Sequence, residues 1–138
     1  SQMQQVLTNM LINAKEAIPS GANGEITIST RTVTVRSGES SPDMQPGPYV
    51  RIDVRDNGVG MTVEQQARCF EPFFTTKNVD RGTGVGLNGS GLGLSTAYSI
   101  VKQHGGNITV HSVPGEGSLF SIYLPLVESG AAVSVESN

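Results

Sequence analysis

Segments with the two-residue alternation of β-strands come in two adjacent pairs, and this arrangement restricts the fold more than any other feature of the sequence. The first pair is predicted at residues 25–35, which are rich in β-branched side chains, and at residues 49–55. The second pair is predicted at residues 107–112 and 118–124. Strands that follow one another so closely pair as antiparallel hairpins, which argues against a repeating βαβ arrangement. We therefore predict a layered α/β sandwich.

Helical periodicity accounts for much of the remaining chain. Apolar residues recur at helical spacing in residues 2–18, which predicts an amphipathic helix. A second helix is predicted to begin at Thr62, a favourable N-cap, and to end near Phe70, and a third is predicted over residues 90–104. The last residues, 127–138, are small and polar and are predicted to form a flexible tail.

Composition excludes several functional classes. The formal net charge is −3 and the nine Lys and Arg residues are scattered, so no surface for nucleic acid or for direct contact with an anionic membrane is indicated. The single cysteine, Cys69, excludes internal disulfides and zinc sites with paired cysteines, and is predicted to be a buried structural thiol. No stretch approaches the ~18 consecutive apolar residues of a membrane helix, so we predict a cytoplasmic domain.

A glycine-rich stretch, residues 82–95 (GTGVGLNGSGLGLS), repeats one heptad twice. It contains G-x-G-x-x-G, but a dinucleotide site also needs a preceding strand and an acidic residue about 20 positions later. Neither Asp nor Glu occurs between residues 81 and 115. A flexible linker and a phosphate-binding segment that leads into a helix N-terminus both stay open. The leucines within the run and the helix that follows favour phosphate binding.

Two asparagines, Asn9 and Asn13, lie four residues apart in the middle of the first predicted helix. Asn is a weak helix former, so two copies at these positions require a reason. They form one polar stripe with Gln5 and Glu16, beside the apolar face of the helix. An amide oxygen on this stripe could ligate a hard cation such as Mg²⁺. An ordinary solvated face is the alternative, and the residues alone leave both open.

Asp56 is predicted to face the core. The apolar positions before it are 50, 52 and 54, so period-two alternation directs Asp56 to the same side of the strand. A buried carboxylate needs strong hydrogen-bond donors, and the bend at residues 57–60 leaves room for a ligand. The exocyclic amine of adenine would be a suitable donor. The alternative is a turn-forming aspartate that caps its own backbone.

These segments, in this order, resemble the ATP-binding catalytic domain of bacterial sensor histidine kinases, which belongs to a superfamily shared with gyrase, Hsp90 and MutL. The segments similar to its N, G1, F and G2 boxes are QQVLTNMLINAKEAI (4–18), DNGVGM (56–61), FEPFFTTK (70–77) and GSGLGLSTAYSIVKQHGG (89–106). The resemblance covers almost all of residues 2–125, and the PFFTTK segment is similar to nitrogen-regulation-like kinases.

The resemblance implies a fold as well as a family. It is the Bergerat ATP-binding fold, a two-layer α/β sandwich in which a mixed, mainly antiparallel sheet packs on about three helices. The catalytic domain is expected to span residues 1–126, with an ATP lid at about 75–94. The second heptad copy, 89–95, occupies the G2 position, and the first copy, 82–88, is an additional heptad that lengthens the lid.

The resemblance also implies roles for individual residues. Asn13 would ligate the Mg²⁺ that bridges the triphosphate, and Asn9 and Lys77 would complete the catalytic set. Asp56 would accept the adenine amino group, with Gly58 and Gly60 letting the base approach. The residues implied to contact ATP are Asn9, Asn13, Asp56, Gly58, Gly60, Thr76, Lys77, Gly89, Gly91, Leu92, Gly93, Leu94 and Ser118. Glu16 and Ala17 stand where many of these kinases have Lys-Tyr, so Lys15 or Lys77 is expected to contact phosphate instead.

The activity implied is that of a protein-histidine kinase domain that uses Mg-ATP. It would donate the γ-phosphate to a histidine on a separate, upstream dimerisation domain, and a response regulator would be the further partner. His104 and His111 are predicted to be structural, so this chain alone is predicted not to phosphorylate itself. Hydrolytic relatives carry a glutamate at the position of Asn9, and its replacement favours transfer over hydrolysis. A non-catalytic nucleotide-binding module and a related ATPase stay open as alternatives.

Overall fold

The computed structural model describes residues 1–36, 44–74 and 93–126. Within these residues the chain forms three helices and four strands. In chain order they are α1 (Gln2–Ala17), β1 (Ile26–Val35), β2 (Gly47–Asp56), α2 (Val63–Arg68), α3 (Gly93–Gln103), β3 (Asn107–Val113) and β4 (Gly117–Pro125). The predicted helices and strands are confirmed, with small differences at their ends. The predicted tail and most of the predicted lid lie outside the described residues.

The sheet has the strand order β1-β2-β4-β3, and every neighbouring pair is antiparallel. Both predicted hairpins are confirmed, because β1 pairs with β2 and β3 pairs with β4. The two hairpins join through the pairing of β2 with β4, which sets Asp56 opposite Ser118. A two-layer α/β sandwich is therefore confirmed, while the parallel part of a mixed sheet is not among the described strands.

The core lies between one face of the sheet and the helices. Its buried residues come from α1, α3 and the three strands β2, β3 and β4, together with the residue that caps α2. They are Val6, Met10, Ala14, Val54, Cys69, Ala97, Ile100, Val101, Ile108, Phe120 and Ile122. None of the described helices is long and apolar enough to cross a membrane.

Thr62 and Cys69 cap the two ends of α2. The Thr62 hydroxyl accepts from the Gln65 backbone N–H at 3.1 Å, and the Gln65 side chain accepts from the Thr62 N–H at 2.9 Å. This reciprocal capping box confirms the predicted N-cap. Cys69 is buried in the core, and burial raises the pKa of its thiol to about 12. Such a thiol stays protonated at neutral pH, as expected of a structural cysteine.

Candidate functional site

Three polar side chains form a row across the end of the sheet, on the face that carries the helices. Asp56 of β2 is opposite Ser118 of β4, and Ser118 is opposite Ser112 of β3. Directly opposed residues project to the same face of a sheet. Only 4% of Asp56, 6% of Ser118 and 8% of Ser112 is exposed to solvent. The sequence analysis identified the first two residues of this polar row and missed Ser112.

The carboxylate of Asp56 is buried at the start of the bend that follows β2. Its Oδ1 accepts from the Gly58 backbone N–H at 2.8 Å, so the turn-capping interpretation describes one of its contacts. Burial raises the pKa of the Asp56 carboxyl, and backbone hydrogen bonds from Gly58 and Ser118 act in the opposite direction. An aspartate that only caps a turn does not need to be buried. The carboxylate of Asp56 receives backbone N–H groups as donors, and it can accept a further hydrogen bond from a ligand.

The bend after Asp56 is held between α1 and the β3–β4 hairpin. The Val59 N–H donates to the Ala17 carbonyl at the end of α1 at 2.9 Å. On the other side, the Gly115 N–H donates to the Val59 carbonyl at 2.7 Å. A Cβ atom on Gly58 would collide with the Ala17 carbonyl. The close packing of this bend therefore requires a glycine at position 58 for structural reasons, in addition to the predicted approach of the adenine base.

Gln66 attaches α2 to the edge strand of the sheet. Its side-chain amide donates to the Ser112 carbonyl at 2.9 Å, and its oxygen accepts from the Ser112 N–H at 3.1 Å. Since β3 lies at the edge of the described sheet, Gln66 satisfies backbone groups as a further strand would. The sequence analysis missed both residues, although the alternation that identified Asp56 also directs Ser112 to the side of the buried Ile108.

Replacement of Gln66 by Ala is expected to lower the free energy of unfolding by about 1–2 kcal/mol, because two hydrogen bonds to a half-buried backbone are lost. Amide hydrogen exchange at Ser112 should accelerate in the same variant. Gln65→Ala is the matched control, since Gln65 bonds only within the cap of α2. Slower or unchanged exchange at Ser112 in Gln66→Ala would contradict the role given to this side chain.

Of the two asparagines of α1, Asn9 contacts the beginning of α3. The Asn9 side-chain amide donates to the Gly93 carbonyl at 3.1 Å, and Gly93 is the first residue of α3. Asn9 therefore joins α1 to the end of the glycine-rich segment and is not merely part of a solvated face. Asn13 lies one turn further along α1 and is half-buried. On α3, Leu94 packs against the core.

The remaining predicted residues are distributed between the described and undescribed parts of the chain. His104 lies at the end of α3 and donates from Nδ1 to the Ile100 carbonyl at 2.8 Å, while His111 is exposed in β3. The contact of His104 fits the structural role predicted for it. The predicted site residues outside the described ranges are Thr76, Lys77, Gly89, Gly91 and Leu92.

Comparison with known proteins identifies relatives over nearly the whole chain. The family model described as "Histidine kinase-, DNA gyrase B-, and HSP90-like ATPase" matches residues 1–128. The sensor kinase CckA of Brucella abortus is 40% identical over 134 residues, which is 95% of this chain and 13% of that protein. The sensor histidine kinase ZraS of Klebsiella oxytoca is 39% identical over 91% of this chain and 22% of its own length. The chain thus spans less than a quarter of these curated relatives.

A solved structure of the catalytic domain of the histidine kinase ThkA has a similar fold. Its TM-score is 0.62 and its sequence is 32% identical, with 90% of this chain and 67% of that chain covered.

Proposed function

The chain belongs to the family of histidine kinase-, DNA gyrase B- and HSP90-like ATPases, and we propose that it is the Mg-ATP-binding catalytic domain of a sensor histidine kinase. The observation that carries the proposal is the buried carboxylate of Asp56 at the end of β2. A buried carboxylate of this kind binds a ligand that supplies a hydrogen-bond donor, and adenine supplies one through its amino group. Ser118, opposite Asp56, supplies a second polar group on the same face.

The phosphates are assigned to the beginning of α3. Backbone N–H groups at a helix N-terminus and the helix dipole favour an anion. Gly93 lies at this N-terminus, and its carbonyl is held by Asn9 of α1. The proposed phosphate-binding residues Gly89, Gly91 and Leu92 precede it, and Thr76 and Lys77 are proposed to lie near the same phosphates.

Asn13 is proposed as the protein ligand of Mg²⁺. Its amide oxygen is a hard donor, and it lies one helical turn beyond Asn9 on the same side of α1. The described part of the chain contains no group of three or more Asp, Glu, His or Cys side chains that could hold a metal ion by themselves. Phosphate oxygens of the bound nucleotide would complete the coordination, and the cation would neutralise their charge during phosphoryl transfer.

The phosphoryl acceptor is proposed to be a histidine on an upstream dimerisation domain, with a response regulator as the subsequent partner. Asn9 favours transfer over hydrolysis, because an amide cannot take a proton from water as a general base. Its observed contact with Gly93 further suggests that it positions α3. A non-catalytic nucleotide-binding module is the second candidate function, and it predicts binding without transfer.

Calorimetric titration with a non-hydrolysable ATP analogue tests the binding proposal. We expect saturable binding that tightens when Mg²⁺ is added, and Asn13→Ala should reduce this Mg²⁺-dependent gain by about tenfold. Thr8→Ala, an exposed change on the same helix, is the matched control and should leave the gain unchanged. A Mg²⁺ effect that persists in Asn13→Ala would contradict the assigned ligand.

A transfer assay distinguishes the kinase from the second candidate function. The upstream acceptor domain of a full-length relative is added in trans with Mg-ATP, and phosphohistidine is measured on each chain. Phosphohistidine is expected on the acceptor domain only. Its appearance on this chain alone would contradict the structural assignment of His104 and His111, and nucleotide binding without any transfer would favour the non-catalytic module.

A further inference from the structure

The hydroxyl of Ser112 is saturated by its neighbours. A serine hydroxyl has one proton to donate and two lone pairs that accept. Its oxygen lies 2.9 Å from the Gly117 carbonyl, which can only accept, so the Ser112 proton is directed there. One lone pair accepts from the Met61 N–H at 2.8 Å. The remaining lone pair faces the Ser118 hydroxyl oxygen at 2.8 Å.

The saturation of Ser112 decides the direction of the bond between the two serines. Since the only proton of Ser112 is used at Gly117, Ser118 must be the donor in this pair. Its proton therefore points away from Asp56 and towards β3. What Ser118 can offer a ligand on its other side is lone pairs alone, and the ionised carboxylate of Asp56 likewise only accepts.

We propose that Ser112 orients the Ser118 hydroxyl as an acceptor and thereby strengthens the preference of the site for a 6-amino purine over a 6-oxo purine. The inference rests on the proposed nucleotide function. A 6-amino group has two protons for two acceptors, one on Asp56 and one on Ser118, the latter directly or through one water. A 6-oxo group presents lone pairs to these acceptors, and buried polar groups left without partners oppose binding.

Ser112 is thus a positioning residue, which acts on the ligand through Ser118. Its location explains why the orientation is stable. The backbone of Ser112 is held by Gln66, and only 8% of the residue is exposed to solvent. No rotation of the Ser112 hydroxyl retains the Gly117 and Met61 contacts while donating to Ser118.

The experiment compares the affinities of ADP and IDP, which differ at position 6 of the purine ring, amino or oxo, and at the adjoining N1, which accepts in ADP and carries a proton in IDP. The full 138-residue chain is titrated with each nucleotide. In Ser112→Ala the Ser118 hydroxyl loses its acceptor and becomes free to donate to the IDP oxygen. We expect the ratio of ADP to IDP affinity to fall at least about fivefold. The ratio cancels any loss of folded protein, because both nucleotides are measured on the same sample.

Three further single variants and one double variant separate orientation from packing. Ser112→Thr retains the hydroxyl and should restore the ratio. Ser121→Ala removes another buried serine hydroxyl of β4, one that donates to Asp53 at 2.8 Å on the opposite face, and should not change the ratio. Ser118→Ala removes the oriented oxygen itself, so it should lower the ratio, and adding Ser112→Ala to it should lower the ratio no further.

The outcomes distinguish this inference from the function on which it rests. If the native chain binds neither nucleotide, the nucleotide function is overturned and the inference falls with it. If the native chain prefers ADP but Ser112→Ala lowers both affinities equally, only the role of Ser112 is overturned. If Ser112→Ala fails to fold, Ser118→Ala takes its place. An unchanged ratio of ADP to IDP affinity in Ser118→Ala would overturn the role of Ser112, and a lowered ratio would support it.

Discussion

Asp56→Asn is expected to weaken binding of the ATP analogue by at least about a hundredfold. The substitution preserves shape but replaces a charged acceptor by an amide, one of whose two polar atoms is a donor. That donor would oppose the amino group of adenine at the most buried polar position of the site. Calorimetry on the native chain and the variant measures the difference, and an affinity within about threefold of the native value would contradict the assignment of the adenine site.

The same substitution is expected to stabilise the ligand-free protein at neutral pH. Burial raises the pKa of Asp56 in the folded state above its ordinary value of 3.8, so the ionised form is disfavoured by folding. Below pH 3.8 the carboxyl is protonated in both states and carries no such cost. As the pH rises from 3.8 towards the raised value, the unfolded chain loses its proton first, and the native protein loses stability relative to the variant.

Thermal unfolding at several pH values measures this effect. The melting temperature of Asp56→Asn should exceed that of the native chain at pH 7, and the gain should vanish at acid pH. Asp53→Asn is the matched control, since Asp53 is a buried aspartate of the same strand but accepts from Ser121 and pairs with Arg51 at 3.1 Å. The control should retain nucleotide affinity and lose stability. A lower melting temperature for Asp56→Asn at pH 7 would contradict the argument from burial.

Gly60→Ala is expected to lower the free energy of unfolding by at least about 3 kcal/mol. Gly60 has a φ angle of +70°, in the left-handed region that a residue with a Cβ atom adopts at a cost. The added Cβ would also collide with the carbonyl oxygen of Val113, a backbone atom of β3 that cannot rotate away. To relieve this contact, the bend must separate from the hairpin and release the bonds that Gly115 and Ser112 make to it.

Gly115→Ala is the matched control for that substitution. Its φ angle is +83°, nearly that of Gly60, but no atom lies within 4 Å of the position a Cβ would take. It should cost only the backbone strain, about 1 kcal/mol. Urea unfolding of the two variants gives the difference, which is the effect of the close approach alone. Equal costs would show that the bend does not depend on its contact with β3.

Much of the site could be predicted from sequence because its signals are local. The alternation of residues 50, 52 and 54 directed Asp56 to the core, and the structure has it 4% exposed. Asn9 was distinguished from a solvated residue only by a contact 84 residues away in sequence, with Gly93. No pattern within one helix could report that contact, so both interpretations were open until the helices were seen packed together.

The sequence by itself determined the two hairpins, the N-cap of α2 and the side of β2 that faces the core. These depend on side-chain period and turn chemistry, which act over a few residues. Only the tertiary structure decided that β2 pairs with β4, and hence that Asp56, Ser118 and Ser112 form one row. It also decided that Gln66 forms hydrogen bonds with the backbone of Ser112 at the end of that row. Strand order depends on long-range packing, since any of several orders would satisfy the same local periods.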